Sequence, residues 1–536
     1  MTGGVSLARP FFVLFVLIPA FHLCLFMSYA AGDEGAAVFD IRAFEVSGNS
    51  IFPADKVENT MKPFTGSGKI AADVEKARDA LEKFYHDSGY PAVLVNIPEQ
   101  TIKDGIVKLQ VIESRIGRVK ISGNRYFTTE KIMRDLPSLR PGEILYLPKV
   151  QEEIGNLNKN QDLKVEPVMA PGKEPGTVDV ELKVTDRLPL HGFLELNNRA
   201  SPDTERLRLN AMLRYDNLWQ RDHSISLQYQ MSPQDPSQVE AVSGSYVLPA
   251  PWEKSHLLAL YGIWSDSDTA FGQGFEVIGK GWIAGLRYVM PLPPYKLYAH
   301  NITVGLDYKD LKENLGFRTG NQPTTQTPVA YLPLSFSYSA SLQDGWGGTN
   351  QFSAGLNLSV RGLVSDQREF EAKRFKALAN YAYFTGGIQR TQTLPWGMGL
   401  FVKVDGQVAD GPLISSEEYA AGGMESVRGY REASVLGDNA LHGTIELSFP
   451  NPLKKFGLGK WFNMTPYLFY DAAVLTVKDP LPGQDRSTRL MGTGAGFRGS
   501  LTKHMEYEFD WAVPLDATQQ TKKNEQRFYF RLKALF

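Results

Sequence analysis

From residue 188 to the C-terminus the chain alternates apolar with small or polar residues, and this patterning constrains its fold more than any other feature. In Leu334-Ser335-Phe336-Ser337-Tyr338-Ser339 and in Phe352-Ser353-Ala354-Gly355-Leu356-Asn357-Leu358 one face is mostly apolar and the other small or polar. Strands of a soluble sandwich alternate too, so one such segment decides little. Many segments of about ten residues, each with a small or polar inner face, fit a transmembrane barrel. After residue 31 no run of about 18 apolar residues occurs, so no helix spans a membrane. A chain of this kind can cross a bilayer only as a closed barrel.

Sixteen strands are expected, starting near His191, Arg206, His223, Val239, Ser255, Gly279, Leu297, Ala330, Asn350, Phe375, Trp396, Leu441, Asn463, Thr488, Lys503 and Arg527. An even number returns both ends to the same side. Connections after even strands are short (217–222, 499–502), and several after odd strands are longer (266–275, 310–328). The longest gap, 409–440, holds Gly422-Gly423-Met424-Glu425-Ser426-Val427-Arg428-Gly429-Tyr430. Its glycines permit a tightly folded hairpin, with one cation, Arg428, at the tip.

Residues 1–30 read as an export signal: Arg9, an apolar run over 10–27, then Ser28-Tyr29-Ala30 as a cleavage site. The only cysteine, Cys24, lies in this run behind Leu23, so the mature chain carries no thiol or disulfide chemistry. A net charge of −2 gives no pull toward nucleic acid. There is no phosphate-cradling Gly-x-x-x-x-Gly-Lys-Ser/Thr loop, no Gly-x-Ser-x-Gly, no His-Glu-x-x-His, and the eight His are scattered. No catalytic residue, cofactor or metal is therefore expected.

Before the barrel the chain repeats itself. Phe44-Glu45-Val46-Ser47-Gly48-Asn49-Ser50-Ile51-Phe52 recurs as Val119-Lys120-Ile121-Ser122-Gly123-Asn124-Arg125-Tyr126-Phe127, the sign of tandem small domains. The first copy continues with a helix at 71–88, placing Val74, Ala77, Leu81 and Phe84 on one face, and strands at 92–97 and 106–112 around Lys103-Asp104-Gly105. The second gives helices at 128–136 and 149–159 and strands at 163–169 and 177–184.

This β-α-α-β-β order, twice, resembles the POTRA domain, a periplasmic module that binds unfolded polypeptides. The expected domains are 39–115 and 116–187, followed by the barrel at 188–536. An exposed sheet edge can accept a client segment as an added strand. The candidate edges are Ala92, Val93, Leu94, Val95, Asn96 and Ile97, and Leu163, Lys164 and Val165.

Two tandem α+β POTRA-like domains before a 16-stranded antiparallel barrel, with Val427-Arg428-Gly429-Tyr430 between strands eleven and twelve, resemble the two-partner secretion transporters. These form the haemolysin secretion/activation type within the barrel-assembly superfamily. That resemblance implies a bacterial outer-membrane protein that exports an unfolded secreted partner. It also implies contact with outer-membrane lipid, and insertion by the barrel assembly machinery through the aromatic-ended last strand, which closes on Phe536. It further implies that the loop folds into the barrel and that Arg428 meets Asp471 in Phe469-Tyr470-Asp471-Ala472-Ala473, where Ala473 stands in place of the family's Gly. Gly494-Ala495-Gly496-Phe497-Arg498 resembles a second family element on strand fourteen. Many relatives begin with a pore-plugging helix; only 31–38 lies between signal and first strand here, so the loop would have to limit leakage. An insertase of the same superfamily is the alternative, and a passive porin leaves the repeats unexplained. Two POTRA domains rather than three or more favour secretion.

Overall fold

A computed structural model describes residues 38–536, apart from 203, 268–279, 316–324 and 458–461. The export signal with Cys24, and parts of the expected loops at 266–275 and 310–328, lie outside these residues. The chain divides into two compact units. One runs through Ser122 and adds Leu136–Leu157 and Val165–Lys183; the other comprises Gly123–Asp135, Asn158–Lys164 and Val184–Phe536.

In the first repeat Ala43–Ser47 pairs in parallel with Ile106–Ile112, which pairs antiparallel with Leu94–Asn96. Helix Ala71–Asp87 buries Val74, Ala77, Leu81 and Tyr85 at three- and four-residue steps. The Ile70 N–H donates to the Asp73 carboxylate and holds it below its ordinary range. Phe39–Ile41 also pairs with Gly66–Lys69, a ladder absent from the expected β-α-α-β-β order. Its three- and four-residue strands are too short to show a period. In the second repeat the sheet order is Arg115–Ser122, Thr177–Asp186, Leu163–Pro171, with helices Thr129–Arg134 and Leu147–Leu157.

The repeated Ser-Gly-Asn has one physical construction in both copies. Gly48 and Gly123 have φ of 80° and 91°. A Cβ there would lie 2.2 Å from the Val111 carbonyl oxygen and 2.3 Å from that of Val184. The following Asn49 and Asn124 amides donate to the carbonyls of Phe52 and Phe127, at 2.8 and 2.9 Å. One carboxylate then gathers the free N–H groups: Glu113 takes those of Ser50 and Ile51, and Asp186 takes those of Arg125, Tyr126 and Phe127.

The remainder is a closed antiparallel barrel of sixteen strands. In order these are Leu190–Asn197, Arg208–Leu218, His223–Met231, Val239–Ala250, Glu253–Ser267, Gly281–Pro291, Tyr298–Leu315, an eighth in two pieces, Gly348–Ser359, Ala382–Thr393, Gly399–Ala409, Asn439–Ser448, Phe462–Thr476, Ser487–Leu501, Met505–Pro514 and Arg527–Leu535. The eighth comprises Thr325–Tyr331 and Pro333–Gln343, both paired to strand seven. It starts before the expected Ala330, and strand seven runs to Leu315, so the described residues of 310–328 are strand rather than loop.

The tenth strand corrects the sequence reading most. It begins at Ala382, not Phe375. Lys376 has φ of 59°, which breaks an extended run. Residues 360–381 instead form a loop with a short helix, Gln367–Lys373. The alternation of Ala377, Ala379 and Tyr381 is real, but these side chains are buried in the lumen with Phe370, Leu413 and Ile414. They pack on inward-facing Ile263, Ile283, Leu311, Val329 and Tyr331. Two loops after odd strands therefore fill the end of the barrel opposite the chain's entry.

Candidate functional site: a buried cation in the barrel lumen

Strand eleven ends at Ala409 and strand twelve begins at Asn439; between them the chain turns inward. At the base, Tyr419–Ala421 pairs with Val435–Gly437 in a small ladder. Asp438, fully buried, accepts both terminal nitrogens of Arg374 at 2.7 and 2.6 Å, joining this loop to that after strand nine. Glu417 accepts from Lys309, Tyr331 and Tyr383 on strands seven, eight and ten. Gly422, Gly423 and Gly429 have φ between 105° and 109°, a region that only glycine enters at little cost.

Arg428 stands at the inner tip, 3% exposed. Its Nε and one terminal nitrogen donate to Asp471 at 2.7 and 2.8 Å, and its backbone N–H donates to the same carboxylate at 3.1 Å. The other terminal nitrogen donates to Glu446 on strand twelve at 2.7 Å. Phe469 offers its ring face, with the guanidinium carbon 3.5 Å from the centroid. Asp510 on strand fifteen lies 3.8 Å away with one oxygen unpartnered. Removing one partner from such a buried pair costs about 3–5 kcal/mol, because a bare charge is left behind.

The neighbours of Arg428 fix the backbone as firmly. Gly429 N–H donates to the Tyr529 hydroxyl at 2.9 Å, and that hydroxyl donates to the Tyr430 carbonyl. Val427 and Tyr430 are fully buried and pack with Ala421, Ala440, Ala473, Leu475 and Leu490. The Ala473 methyl thus sits in an apolar cluster, and the departure from Gly there obstructs nothing. The close approach falls at Gly492, where a Cβ would lie 1.8 Å from the Arg428 carbonyl oxygen. A Cβ on Gly494 would meet the Phe469 ring at 2.7 Å, and one on Gly496 would meet the Tyr467 ring at 2.8 Å. Arg498 donates to Glu446 at 2.9 Å and lies over Tyr467.

The structure thus brings Val427, Arg428, Gly429, Tyr430, Phe469, Asp471, Gly494, Gly496 and Arg498 into one region. Sequence reasoning missed Glu446, Gly492, Asp510 and Tyr529. A signal existed for two of them: Gly492, Gly494 and Gly496 share a face at two-residue spacing, and Glu446 alternates with Thr444 on an inward face.

The periplasm-type repeats present a different picture. The first candidate edge is strand only at Leu94–Asn96. Groups pointing away from the sheet are largely engaged: Val95 N–H donates to Glu82 at 3.0 Å and the Val93 carbonyl accepts from His86 at 2.9 Å. Ala92 and Ile97 lie outside the strand. The second edge, Leu163–Pro171, is nine residues long, with Leu163 and Val165 turned into the core and Lys164 exposed. Among the described residues Asp162, His191 and Asp216 form a grouping of metal-ligand type. Arg187 already neutralises Asp162, His191 Nε2 lies 2.8 Å from the same carboxylate, and Arg214 neutralises Asp216.

The family model described as "Haemolysin secretion/activation protein ShlB/FhaC/HecB" matches residues 176–499, and that of the "POTRA domain, ShlB-type" matches 39–114. The chain is 24% identical to the outer membrane transporter CdiB of Dickeya dadantii over 389 residues, covering 69% of this chain and 65% of that relative, just under two thirds of its length. It is 19% identical to the heme/hemopexin transporter protein HuxB of Haemophilus influenzae over 515 residues, 91% of this chain and 86% of that one. The solved structure of CdiB from Escherichia coli superposes with a TM-score of 0.62 at 17% identity, covering 95% of this chain and 92% of that one.

Proposed function

This chain belongs to the haemolysin secretion/activation family, and from that premise we propose that it exports a secreted partner protein through its barrel. The barrel is an outer-membrane barrel and the POTRA domains lie in the periplasm. The observation that carries the reading is the occupied lumen. Two ordered loops fill the extracellular end, and the deeper one is held by Arg428 against Asp471 and Glu446. A passive pore has no use for such a seal; a transporter needs one that opens only for its client.

In this reading an unfolded client docks as an added strand on the periplasmic sheets. Leu163–Pro171 is the longer of the two edge strands. The client then passes along the lumen wall of strands seven to eleven, where Asn301, Ser339, Gln351, Ser353 and Gln389 line a groove beside the Lys403–Asp405 ion pair. Such a wall hydrogen-bonds any sequence weakly and holds none. Folding of the client outside drives the passage, and the protein acts as a transporter rather than an enzyme.

The test is Arg428→Ala. Client in the culture medium is expected to fall at least about tenfold while the barrel remains heat-modifiable and surface-accessible, given the cost of unpairing the site. Normal export by the inserted variant would refute the seal. A photo-crosslinking residue at Val168 in the full-length chain identifies the cargo: a large secreted protein supports export, and several barrel precursors support the insertase alternative.

A further inference from the structure

Two hairpins carry the same pattern thirty-three residues apart: Trp219-x-Arg221-x-His223 and Trp252-x-Lys254-x-His256. Each begins in a periplasmic turn and ends on the strand that leaves it, strands three and five. Two-residue spacing keeps the His side chain on the lipid-facing row, in line with Ile225 and Leu227 in one copy and Leu258 and Leu260 in the other. The next strand supplies a Tyr on the same face. His223 Nδ1 meets the Tyr246 hydroxyl, and His256 Nδ1 meets that of Tyr288. Both Trp rings lie within 6.2 Å of these Tyr rings, and both are largely exposed.

In the second copy Trp252 Nε1–H donates to the Tyr288 oxygen at 2.8 Å, and the Tyr288 O–H has His256 Nδ1 as its acceptor when that nitrogen is unprotonated. A neutral imidazole that accepts at Nδ1 carries its proton at Nε2. Among the described residues the Nε2 of His223 and of His256 have no hydrogen-bond partner. A third, altered copy shows what such a donor seeks. His300 meets Tyr338 through Nδ1 at 3.0 Å, and its Nε2–H donates to the Pro293 carbonyl at 3.3 Å.

We propose that the two Trp-x-Arg/Lys-x-His hairpins bind the phosphodiester of a phospholipid in the periplasmic leaflet. The height decides the ligand. Each unpartnered Nε2–H stands where the apolar face of the strands gives way to the turn, which is headgroup level. Arg221 or Lys254 lies two residues nearer the periplasm and supplies a positive charge, and the Trp ring faces the boundary between acyl chain and headgroup. A phosphodiester oxygen satisfies the Nε2–H and is neutralised by the cation. The apolar face continues outward along the same strands to receive the acyl chains.

The experiment uses the full chain purified in detergent, with native mass spectrometry of retained lipid. The probes are dioleoyl-phosphatidylglycerol, dioleoyl-phosphatidylethanolamine and phosphate-free dioleoylglycerol. The double variant His223→Phe/His256→Phe keeps the apolar ring and loses the donors. Retention of both phospholipids is expected to fall about tenfold, with dioleoylglycerol unchanged. His223→Gln/His256→Gln, which keeps a donor near Nε2, should recover part of the loss, and His300→Phe should change nothing. Heat-modifiability on an unheated gel certifies folding of every variant, and single variants serve if the double one fails that check. Equal retention by wild type and the Phe variant overturns the proposal. Parallel loss of dioleoylglycerol overturns it too, because that is apolar contact alone. Full displacement of the lipids by millimolar inorganic phosphate would assign the donors to free phosphate and overturn the lipid site.

Discussion

Replacing Gly492 by Ala would set a methyl carbon against the Arg428 carbonyl oxygen, and neither backbone can retreat within a packed lumen. Gly492→Ala should therefore lower export to the level of Arg428→Ala, although it touches no charge; client released to the medium is the readout. The charge-exchange double variant Arg428→Asp/Asp471→Arg should not restore export. The carboxylate introduced at position 428 would still face Glu446, with Asp510 close behind, so the exchange creates a new like-charge cluster. Adding Glu446→Gln to that double variant is expected to recover more export than the exchange alone. At this scale the sequence made Arg428 and Asp471 legible through a short motif that fixes residue types at fixed distances. Glu446 and Asp510 were hidden because their importance depends on which strands lie side by side. No one-dimensional spacing records that Thr444 sits opposite Asp471, or that Gly496 sits opposite Asp510.

For individual elements, the barrel strands were legible because their period of two is written in every residue, and errors gathered at their ends. Strand ten was placed seven residues early, since 375–381 alternates for a different reason: its apolar side chains face a lumenal cluster. The tandem repeats were legible through Ser-Gly-Asn, yet the acids that complete each turn, Glu113 and Asp186, stand 62 and 59 residues or more from the groups they gather. Gly123→Ala should destabilise the second repeat by about 1–3 kcal/mol, because it forces a left-handed φ on a residue with a Cβ and presses it on Val184. Limited proteolysis of the full chain should then cut between 116 and 187 at lower protease concentration. On the first repeat, Glu82→Ala would free the Val95 N–H. Hydrogen exchange at Val95 should accelerate, and crosslinking of client at Leu94 should rise if the edge accepts added strands.

Across the whole molecule, the sequence indicated one inward loop and left open what else closes the pore. The structure adds the segment after strand nine, tied to the first by Arg374 and Asp438 and by the shared apolar cluster around Phe370 and Ile414. That partnership was illegible because its members come from seven strands and two loops. Deleting 363–378 should raise single-channel conductance in planar bilayers and admit bulky antibiotics to cells, more than Arg428→Ala does, since it removes apolar filling rather than one ion pair. The arrangement also imposes a chronology. The tip of the inward loop lies between strands eleven and twelve, but the groups that seat it come later: Asp471 on strand thirteen, Gly492 on fourteen, Pro514 on fifteen, and Tyr529 and Arg527 on sixteen. During its own biogenesis the protein cannot seat Gly429 until the final hairpin has arrived. The seal is thus fastened by the last strand made, and a barrel that stalls short of completion betrays itself as a leak.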